Sequence, residues 1–508
     1  MDNRSSVESL TMRSLELLGV IAAVYCLFIP VTVAAQTDEQ KAAFTTLDPL
    51  FETFIRENQI PGLVYGVVVD GKLVHVRTFG VQDTKTKTPV TPESVFRIAS
   101  MSKNFTALAV LKLREKGKLS LDAPAERYIP ELAKFRYPTS DSPKITVRDL
   151  LTHSAGFVND DPWGDRQLDM TEADFSRFLA AGVPFSRAPG TAYEYSNLGY
   201  ALVGRLVTSV SGRSYANYIE DAFLKPLRMS STGYDFGRVP AGRRAIGYRW
   251  EGGEWIEEPA LGPGVFGAMG GLVTTANDYA RYIAWLLAAW PPRDGPEDGI
   301  LKRASVRELS RAQTFAIAIP QPEPLGCPRV VSYSMGIIPS SDCVLGVYLN
   351  HSGGLPGYGS NVLLLPERGV GIFAFANLTY APAAATVRAA AAQLVRSRAF
   401  PLRSTPVASQ QLQAMAIVVQ RIYAAGDVLA AREALAMNIL LDRGVVQRNA
   451  QIASLKQKFG TCSAGEPIRS DSAMSATITL PCERGTLRVR VVLAPTTPPS
   501  LQTLEFMQ

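Results

Sequence analysis

The chain has 508 residues, of which 46% are apolar and 19% are charged, and its formal net charge at pH 7 is +6. A chain of this length and composition can bury a substantial core and is expected to form more than one domain. Because the positive charge is spread along the sequence without a block of Lys or Arg, it argues against a nucleic-acid partner.

The first 35 residues have the organisation of an export signal. Two arginines precede an apolar run at 17–33, and the small residues at 33–35 suit a cleavage site. We therefore predict a signal peptide over 1–35, cleavage near Ala35, and a periplasmic or secreted bacterial protein. The alternative is an uncleaved anchor, but Pro30 and the shortness of the run argue against a stable membrane span.

The next region begins with a predicted β-hairpin. Apolar, β-branched runs at 62–70 and 72–79 are joined by Asp70-Gly71, which is a typical hairpin turn. The region that follows, from about 105 to 340, is predicted to be mainly helical with many loops.

Ser100 and Lys103 form the single Ser-x-x-Lys pattern of the sequence. Positions three apart lie on one face of a helix, so the Lys103 amine can reach the Ser100 hydroxyl and activate it as a nucleophile. The apolar helix predicted from Phe105 onward places the serine at a helix N-terminus. Free N–H groups and the helix dipole favour a developing anion there.

A second motif, Tyr195-Ser196-Asn197, follows a Pro-Gly turn and precedes a helix predicted at 200–206. A third, His351-Ser352-Gly353-Gly354, ends an apolar run at 344–349 that predicts a strand. Taken alone, each of these motifs is typical of a turn or a loop.

Strands return after the third motif. Runs at 362–365 and 370–375 are separated by a turn at 366–369, and a helix is predicted at 383–396. Strands at both ends and a helical middle predict an α+β fold, in which one antiparallel sheet flanked by helices stands beside a helical lobe. The active site would lie between the sheet and the lobe.

The sequence predicts a second domain at the C-terminus. We assign 36–400 to the first domain, 401–408 to a linker, and 409–508 to a small α+β domain with helices at 410–459 and strands near 476–480 and 487–493. Nothing in the small domain looks catalytic. Its expected role is either to stabilise the protein or to cover the cleft.

Four cysteines remain after removal of the signal peptide, which is an even number and indicates disulfides in an exported chain. Locality favours Cys327 with Cys343 and Cys462 with Cys482, one of three possible pairings. No two cysteines lie two to four residues apart and only three histidines exist, so we predict no metal and no other cofactor.

In this order, the three motifs resemble the signature of the serine β-lactamase and penicillin-binding-protein-like superfamily. The Tyr-x-Asn motif is most similar to the class C β-lactamase-like branch of serine peptidases and esterases. Segments at 146–156 and 270–278 also resemble this branch, so the similarity extends over about 44–400. The resemblance implies a β-lactamase-like serine hydrolase that forms an acyl-enzyme on Ser100.

The resemblance also implies roles for individual residues. Catalytic roles fall to Ser100, Lys103, Tyr195 and His351, and substrate-binding roles fall to Asn197, Ser352, Gly353 and Gly354. Tyr195 is expected to be the principal base and proton shuttle, supported by Lys103, although either could take the proton. Asn197 would orient an amide of the substrate. Backbone N–H groups of Ser100 and Gly354 would form the oxyanion hole, and Gly353 would let the substrate approach the strand.

His351 departs from the family pattern, because β-lactamases and D-Ala-D-Ala carboxypeptidases usually carry lysine there. A histidine is largely neutral at pH 7, although it could donate a hydrogen bond or act as a switchable acid. The same substitution occurs in relatives that are aminopeptidases, amidases and esterases, and it lowers the expectation of strong β-lactam hydrolysis.

We therefore expect an exported hydrolase of peptide or amide bonds, acting as a peptidase, aminopeptidase or D,D-peptidase-like enzyme. The alternatives are a carboxylesterase, a weak β-lactamase, and a non-catalytic binding protein on the same scaffold. The expected partner is a small-molecule or peptide substrate, and the oligomeric state stays open.

Overall fold

The computed structural model describes residues 36–320, 326–403, 406–463 and 469–507. The predicted signal peptide lies outside these residues, as do residues 404–405 of the predicted linker. In the described residues the α-helices are α1 (Asp38–Thr45), α2 (Asp48–Glu57), α3 (Ser102–Glu115), α4 (Val147–Leu151), α5 (Glu172–Ala181), α6 (Asn197–Ser211), α7 (Tyr215–Ile219), α8 (Gly267–Gly270), α9 (Ala276–Leu287), α10 (Arg303–Glu308), α11 (Ala383–Arg396), α12 (Gln410–Ala425), α13 (Met437–Asp442) and α14 (Val445–Phe459). The strands are β1 (Gly62–Val69), β2 (Lys72–Asp83), β3 (Thr88–Pro89), β4 (Phe96–Arg97), β5 (Tyr248–Glu251), β6 (Glu254–Glu257), β7 (Val273–Thr274), β8 (Thr314–Ile319), β9 (Arg329–Tyr333), β10 (Ile338–Asp342), β11 (Gly346–Leu355), β12 (Tyr358–Leu365), β13 (Val370–Ala376), β14 (Arg469–Ser472), β15 (Ser475–Cys482), β16 (Gly485–Leu493) and β17 (Leu501–Met507).

A large antiparallel sheet organises the first 400 residues. Within the described part of the chain it has nine strands in the order β3-β2-β1-β13-β12-β11-β10-β9-β8. Strands from the two ends of this region meet at β1 and β13, where Leu63 pairs with Ala376. The predicted α+β fold, with one antiparallel sheet flanked by helices beside a helical lobe, is therefore confirmed.

Both faces of the central strands are buried, which explains their uninterrupted apolar sequences. Along β1, Val64 and Val68 belong to a core shared with α3 and α9. The alternate residues Leu63 and Tyr65 belong to a second core, which is shared with α2 and α11. The two-residue alternation of a strand thus divides one apolar run between two helical layers.

The structure differs from the sequence expectation in the region 105–340. Besides the helices, this region supplies β8, β9 and part of β10 to one edge of the sheet. Phe315 and Val330 are exposed there. An edge strand with apolar residues facing solvent lacks the clear alternation of buried and exposed residues that sequence analysis relies on.

The start of α9 has a one-sided N-terminal cap. The Thr275 side chain accepts the backbone N–H of Asp278. The Asp278 carboxylate accepts hydrogen bonds from the Ser231 N–H and the Thr232 hydroxyl, whereas in a reciprocal capping box it would accept the N–H of Thr275. Asp278 therefore connects α9 to the loop after α7.

A small strand-rich domain follows at the C-terminus. In its described residues the sheet has the order β14-β15-β16-β17, and it packs against α12 and α14 around its own apolar core. The disulfides pair Cys327 with Cys343 and Cys462 with Cys482, as locality predicted. Across the described ranges, no helix is long and apolar enough to cross a membrane.

Candidate active site

Ser100 lies in a tight 3-10 turn, Ala99–Met101, directly before α3. Ala99 holds a left-handed conformation with φ of 50°, which is strained for a residue that carries a side chain. The Ser102 hydroxyl donates to the Ala99 carbonyl at 2.7 Å and accepts the Leu272 N–H at 3.0 Å. These bonds fix the turn, so the position of Ser100 is set by the backbone.

Lys103 is fully buried one turn further along, and its amine contacts three oxygens. The distances from Nζ are 2.9 Å to Ser100 Oγ, 2.7 Å to Asn197 Oδ1 and 3.0 Å to the Met269 carbonyl. An ammonium group has three N–H donors, so these acceptors satisfy it completely. The predicted contact between the serine and the lysine is present in the structure.

Asn197 begins α6 and is buried with its amide between the lysine and two carboxylates. Nδ2 donates to Asp161, and Asp165 Oδ1 lies 3.5 Å from the same nitrogen. Oδ1 therefore faces Lys103 and accepts one of its N–H groups. An added Cβ at Gly164 would lie 2.8 Å from Asn197 Cβ, so this glycine lets the acidic loop (residues 159–165, between α4 and α5) pack against the amide. Substrate contact was predicted for Asn197, but its amide contacts the lysine and the acidic loop.

Burial lowers the pKa of Lys103 from 10.5 to about 8, while the charges of Asp161, Asp165 and Asp160 act in the opposite direction. A neutral amine keeps two N–H groups and one lone pair. Two neighbours, the Asn197 and Met269 oxygens, can only accept, so they take both N–H groups. The lone pair then points to Ser100 Oγ, which is the geometry that a base requires.

Tyr195 lies over the lysine, with Lys103 Nζ 4.8 Å from the centre of its ring. Desolvation raises the pKa of Tyr195 well above 10, and the charge of Asp161 raises it further, whereas a hydrogen bond with Ser100 lowers it. The phenol therefore stays protonated at neutral pH. The phenol can donate or relay a proton, but it is a poor general base in the free enzyme.

His153 lies behind the second motif and contacts both Ser196 and Tyr195. Its Nδ1 accepts the Ser196 N–H at 3.1 Å, and its ring lies 4.3 Å from the ring of Tyr195 between centroids. Burial lowers its pKa well below 6.5, and the charge of Lys103 adds to that effect. A neutral imidazole therefore fixes the orientation of Tyr195.

His351 is also buried and neutral. Nδ1 lies 2.6 Å from the Ser352 carbonyl, which can only accept, so the proton sits on Nδ1. Nε2 then accepts from the Tyr333 hydroxyl at 3.0 Å. Burial lowers the pKa of His351 to about 3, with a further contribution from the charge of Lys103. Both nitrogens are engaged and the ring holds no charge, which argues against the switchable acid considered from the sequence.

Gly353 faces the 3-10 turn that carries Ser100 rather than open space. An added Cβ would overlap the Ile98 carbonyl oxygen and the Ser360 hydroxyl and would lie 3.0 Å from Ala99 Cβ. The prediction was that this glycine admits the substrate. The contacts instead favour a packing role, because its missing side chain lets β11 lie directly against the turn that carries Ser100.

These elements enclose a cavity of about 430 Å³. β11 continues past the end of β10, where Ile338 pairs with Asn350, and the additional residues form one wall. The cavity is lined by Ser100, Asp161, Pro162, Asp165, Tyr193, Tyr195, Ile338, His351, Ser352, Gly354 and Tyr380. Six of the eight residues that sequence analysis assigned to the site line this cavity or contact Ser100 directly, and Asn197 and Gly353 pack behind it.

The acidic loop between α4 and α5 was not identified as part of the site from the sequence. Asp160 accepts the N–H groups of Asn197 and Leu198 at 2.6 and 2.7 Å and so caps α6. Asp165 accepts from the Tyr380 hydroxyl at 3.0 Å. The signal of this loop in the sequence is the high density of carboxylates in Asn159-Asp160-Asp161-Pro162-Trp163-Gly164-Asp165. The sequence alone does not show that this segment lies beside Ser100.

The chain is similar to known proteins over most of its first 400 residues. A family model described as Beta-lactamase matches residues 47–397. Protein flp of Staphylococcus aureus (strain MRSA252) is 28% identical over 339 residues, which cover 65% of this chain and 62% of that protein. Esterase EstB of Burkholderia gladioli is 32% identical over 200 residues, covering 37% of this chain and 50% of the esterase. The chain thus spans less than two thirds of the length of these curated relatives.

The fold is similar to that of a solved structure, the octameric penicillin-binding protein homologue from Pyrococcus abyssi. The TM-score is 0.56 and the sequence identity is 20%, over 92% of this chain and 100% of that chain. At that identity the similarity describes the fold alone.

Proposed function

This chain belongs to the β-lactamase family of serine hydrolases, and we propose that it hydrolyses peptide or amide bonds through an acyl-enzyme on Ser100. The observation that carries the proposal is the distance of 2.9 Å between Lys103 Nζ and Ser100 Oγ, in a setting where the other two N–H groups of the amine have fixed acceptors. This arrangement supplies a nucleophile and its base in contact.

In the first step, neutral Lys103 takes the Ser100 proton while Oγ attacks the carbonyl carbon. The developing oxyanion is held by the backbone N–H groups of Ser100 and Gly354, each of which is typically worth about 10²–10³ in rate. Tyr195 donates its proton to the departing amine as the C–N bond breaks and takes up the proton held by Lys103, so that the lysine is neutral again. A water molecule then attacks the ester of Ser100, again with Lys103 as base, and releases the acid.

The pKa directions favour Lys103 over Tyr195 as the base. The pKa of the lysine is lowered to about 8, whereas that of the tyrosine is raised well above 10. At pH 7 the neutral amine is therefore the more populated base, and the protonated phenol is suited to relay. This reverses the order that the resemblance implied.

Neutral His351 and the charge of the cavity argue against substrates with a carboxylate beside the scissile bond. Of the described residues that line the cavity, none is Lys or Arg, while two are acidic. β-Lactams and D-Ala-D-Ala peptides carry such a carboxylate. The site therefore supports hydrolysis of other peptide and amide substrates better than β-lactamase or D,D-peptidase activity. The non-catalytic alternative is disfavoured because the serine, lysine and tyrosine are all present and in contact.

A carboxylesterase is the second candidate function. The observation that favours it is the similarity to esterase EstB, which is 32% identical over 200 residues. An ester is chemically easier to cleave on the same site, because its carbonyl is less resonance-stabilised than that of an amide and its alkoxide can leave without prior protonation. We also infer export, because both disulfides are typical of an oxidising compartment.

A fluorophosphonate probe read by intact mass tests the nucleophile. One label is expected on the wild type and on Ser120→Ala, a control at an exposed position, and none on Ser100→Ala. A label that survives Ser100→Ala contradicts the assignment. Amino-acid nitroanilides, nitrophenyl esters and a fluorescent penam then separate the candidates: cleavage of esters alone indicates the esterase, and a stable penam adduct indicates a penicillin-binding enzyme.

A further inference from the structure

The cavity that contains Ser100 carries an excess of negative charge. Asp161 is exposed toward it and Asp165 lies buried in its wall, and no Lys or Arg is found among its described lining residues. Both carboxylates share the Nδ2 group of Asn197. One neutral amide cannot balance two carboxylates.

The cations nearest to these carboxylates are engaged elsewhere. Lys103 stands behind Asn197 with its three donors already directed at Ser100, Asn197 and Met269. Arg166 directly follows Asp165 in sequence, but its guanidinium contacts Glu258 at 3.1 Å. Neutral His351 contributes no charge. The two carboxylates thus lack a compensating positive charge on the side that faces the substrate.

The remaining lining suits an organic cation. The Tyr193, Tyr195 and Tyr380 side chains line the same cavity, and aromatic faces attract ammonium groups. Among the described residues, no group of three or more His, Cys, Asp and Glu side chains could hold a metal ion. Burial, and after it the like charge of Asp161, raises the pKa of Asp165 to about 7, and a cation bound beside the two carboxylates would offset that repulsion.

From this lining we propose that the substrate carries a cationic amine and that Asp161 and Asp165 bind its ammonium group beside Ser100. One amide side chain separates Asp161 from Lys103, which itself contacts the nucleophile, so the amine lies within a few bonds of the scissile carbonyl. Aminoacyl amides and esters, and peptides with a free N-terminal amine, have this arrangement. A neutral N-acylated analogue would leave both carboxylates without a positively charged partner.

This inference rests on the proposed function, and its test uses labelling of Ser100 so that turnover of any one substrate is not needed. The probes are fluorophosphonates with an alkyl chain of two to five carbons that ends either in a primary ammonium or in its neutral acetamide. The measured quantity is the ratio of second-order labelling rates within each pair. Since both members use the same nucleophile and base, a general loss of reactivity cancels in the ratio.

For the wild type, the ammonium probe is expected to react about 10-fold faster or more at one chain length, the effect of a charge-assisted hydrogen bond. Asp161→Asn should bring that ratio to within about 2-fold of unity, because the amide carries no charge. Asp169→Asn, a control in the same loop outside the cavity lining, should keep the wild-type ratio. Thermal unfolding confirms that both variants fold.

Two results would overturn the inference while the serine hydrolase stands: Ser100 is labelled but no chain length favours the ammonium probe, or Asp161→Asn retains the preference. If neither probe of any pair labels Ser100 in the wild type, the proposed function itself fails, and the inference fails with it.

Discussion

The rate at which Ser100 reacts should rise with pH along one ionisation with a midpoint near pH 8. Lys103 acts as the base only when it is neutral, and burial brings its pKa down to about 8. Reactivity is therefore low below pH 7, rises through the pKa and levels off above about pH 9. The rate rises rather than falls with pH, because loss of the lysine proton creates the neutral amine that acts as the base.

The size of the effect follows from the fraction of neutral amine. With a pKa of about 8, roughly a tenth of Lys103 is neutral at pH 7. With the ordinary value of 10.5, only about 3 in 10,000 molecules would be neutral. Burial of this one side chain therefore raises the population of the competent base at pH 7 about 300-fold.

The assay is the second-order rate of fluorophosphonate labelling from pH 5.5 to 10 at constant ionic strength. Lys103→Met should abolish labelling, whereas Lys118→Met, at an exposed position beyond the same helix, should retain the wild-type profile. Tyr195→Phe should lower the plateau and keep the midpoint near pH 8, because the phenol relays a proton and does not set the ionisation.

A midpoint close to pH 10, or one that disappears in Tyr195→Phe, would refute this reasoning and make Tyr195 the base. A profile without any pH dependence between 6 and 10 would show that neither group limits the reaction. Both results would be obtained with the same probe and the same variants.

Two further predictions concern the packing around the site. In Gly353→Ala the new methyl group would overlap the Ile98 carbonyl oxygen and the Ser360 hydroxyl, so we expect a loss of about 1–3 kcal/mol in unfolding free energy and slower labelling of Ser100. The control is Gly242→Ala, because the space around its added Cβ is open. Equal stability of the two variants would contradict the packing role of Gly353. The pKa of His351 is about 3 in the folded state, compared with an ordinary value of 6.5, so only the unfolded chain takes up this proton as the pH falls from 7 to 5. Protonation of the unfolded chain should lower the free energy of unfolding by about 2 kcal/mol over that range. Urea unfolding midpoints at pH 7 and pH 5 should differ less in His351→Gln than in the wild type, because the variant lacks this ionisation. The same difference in both proteins would indicate that the imidazole is not held neutral.

The parts of the fold that sequence analysis predicted correctly have local signals. The hairpin at β1 and β2 was marked by Asp70-Gly71, and α11 was marked by a proline just before its first turn. Strands β11 to β13 were visible as apolar runs between turns. The strands β8 to β10, which form one side of the sheet and end in the edge strand β8, were missed, because several of their residues face solvent and their sequences show no clear period.

The three motifs were also found from the sequence, yet the roles of their members depend on contacts between distant segments. Asn197 was expected to face the substrate, and only the folded chain shows that its two amide atoms are held by Lys103 and by the acidic loop. Gly353 gave the same difficulty. A glycine in a motif indicates that space is needed, but the sequence does not say whether substrate or backbone fills it.

The reactivity of Lys103 is a property of burial and charge together, and no short stretch of sequence contains both. Burial lowers its pKa, while three carboxylates of the loop between α4 and α5 raise it again. If burial acted alone, the amine would lose its proton so readily that it would be a weak base. If the carboxylates dominated, it would remain an ammonium ion at neutral pH. The same acidic loop that we assign to substrate recognition therefore also sets the strength of the base, which predicts that an ammonium bound there lowers the pKa of Lys103 and activates Ser100 when the proper substrate is in place.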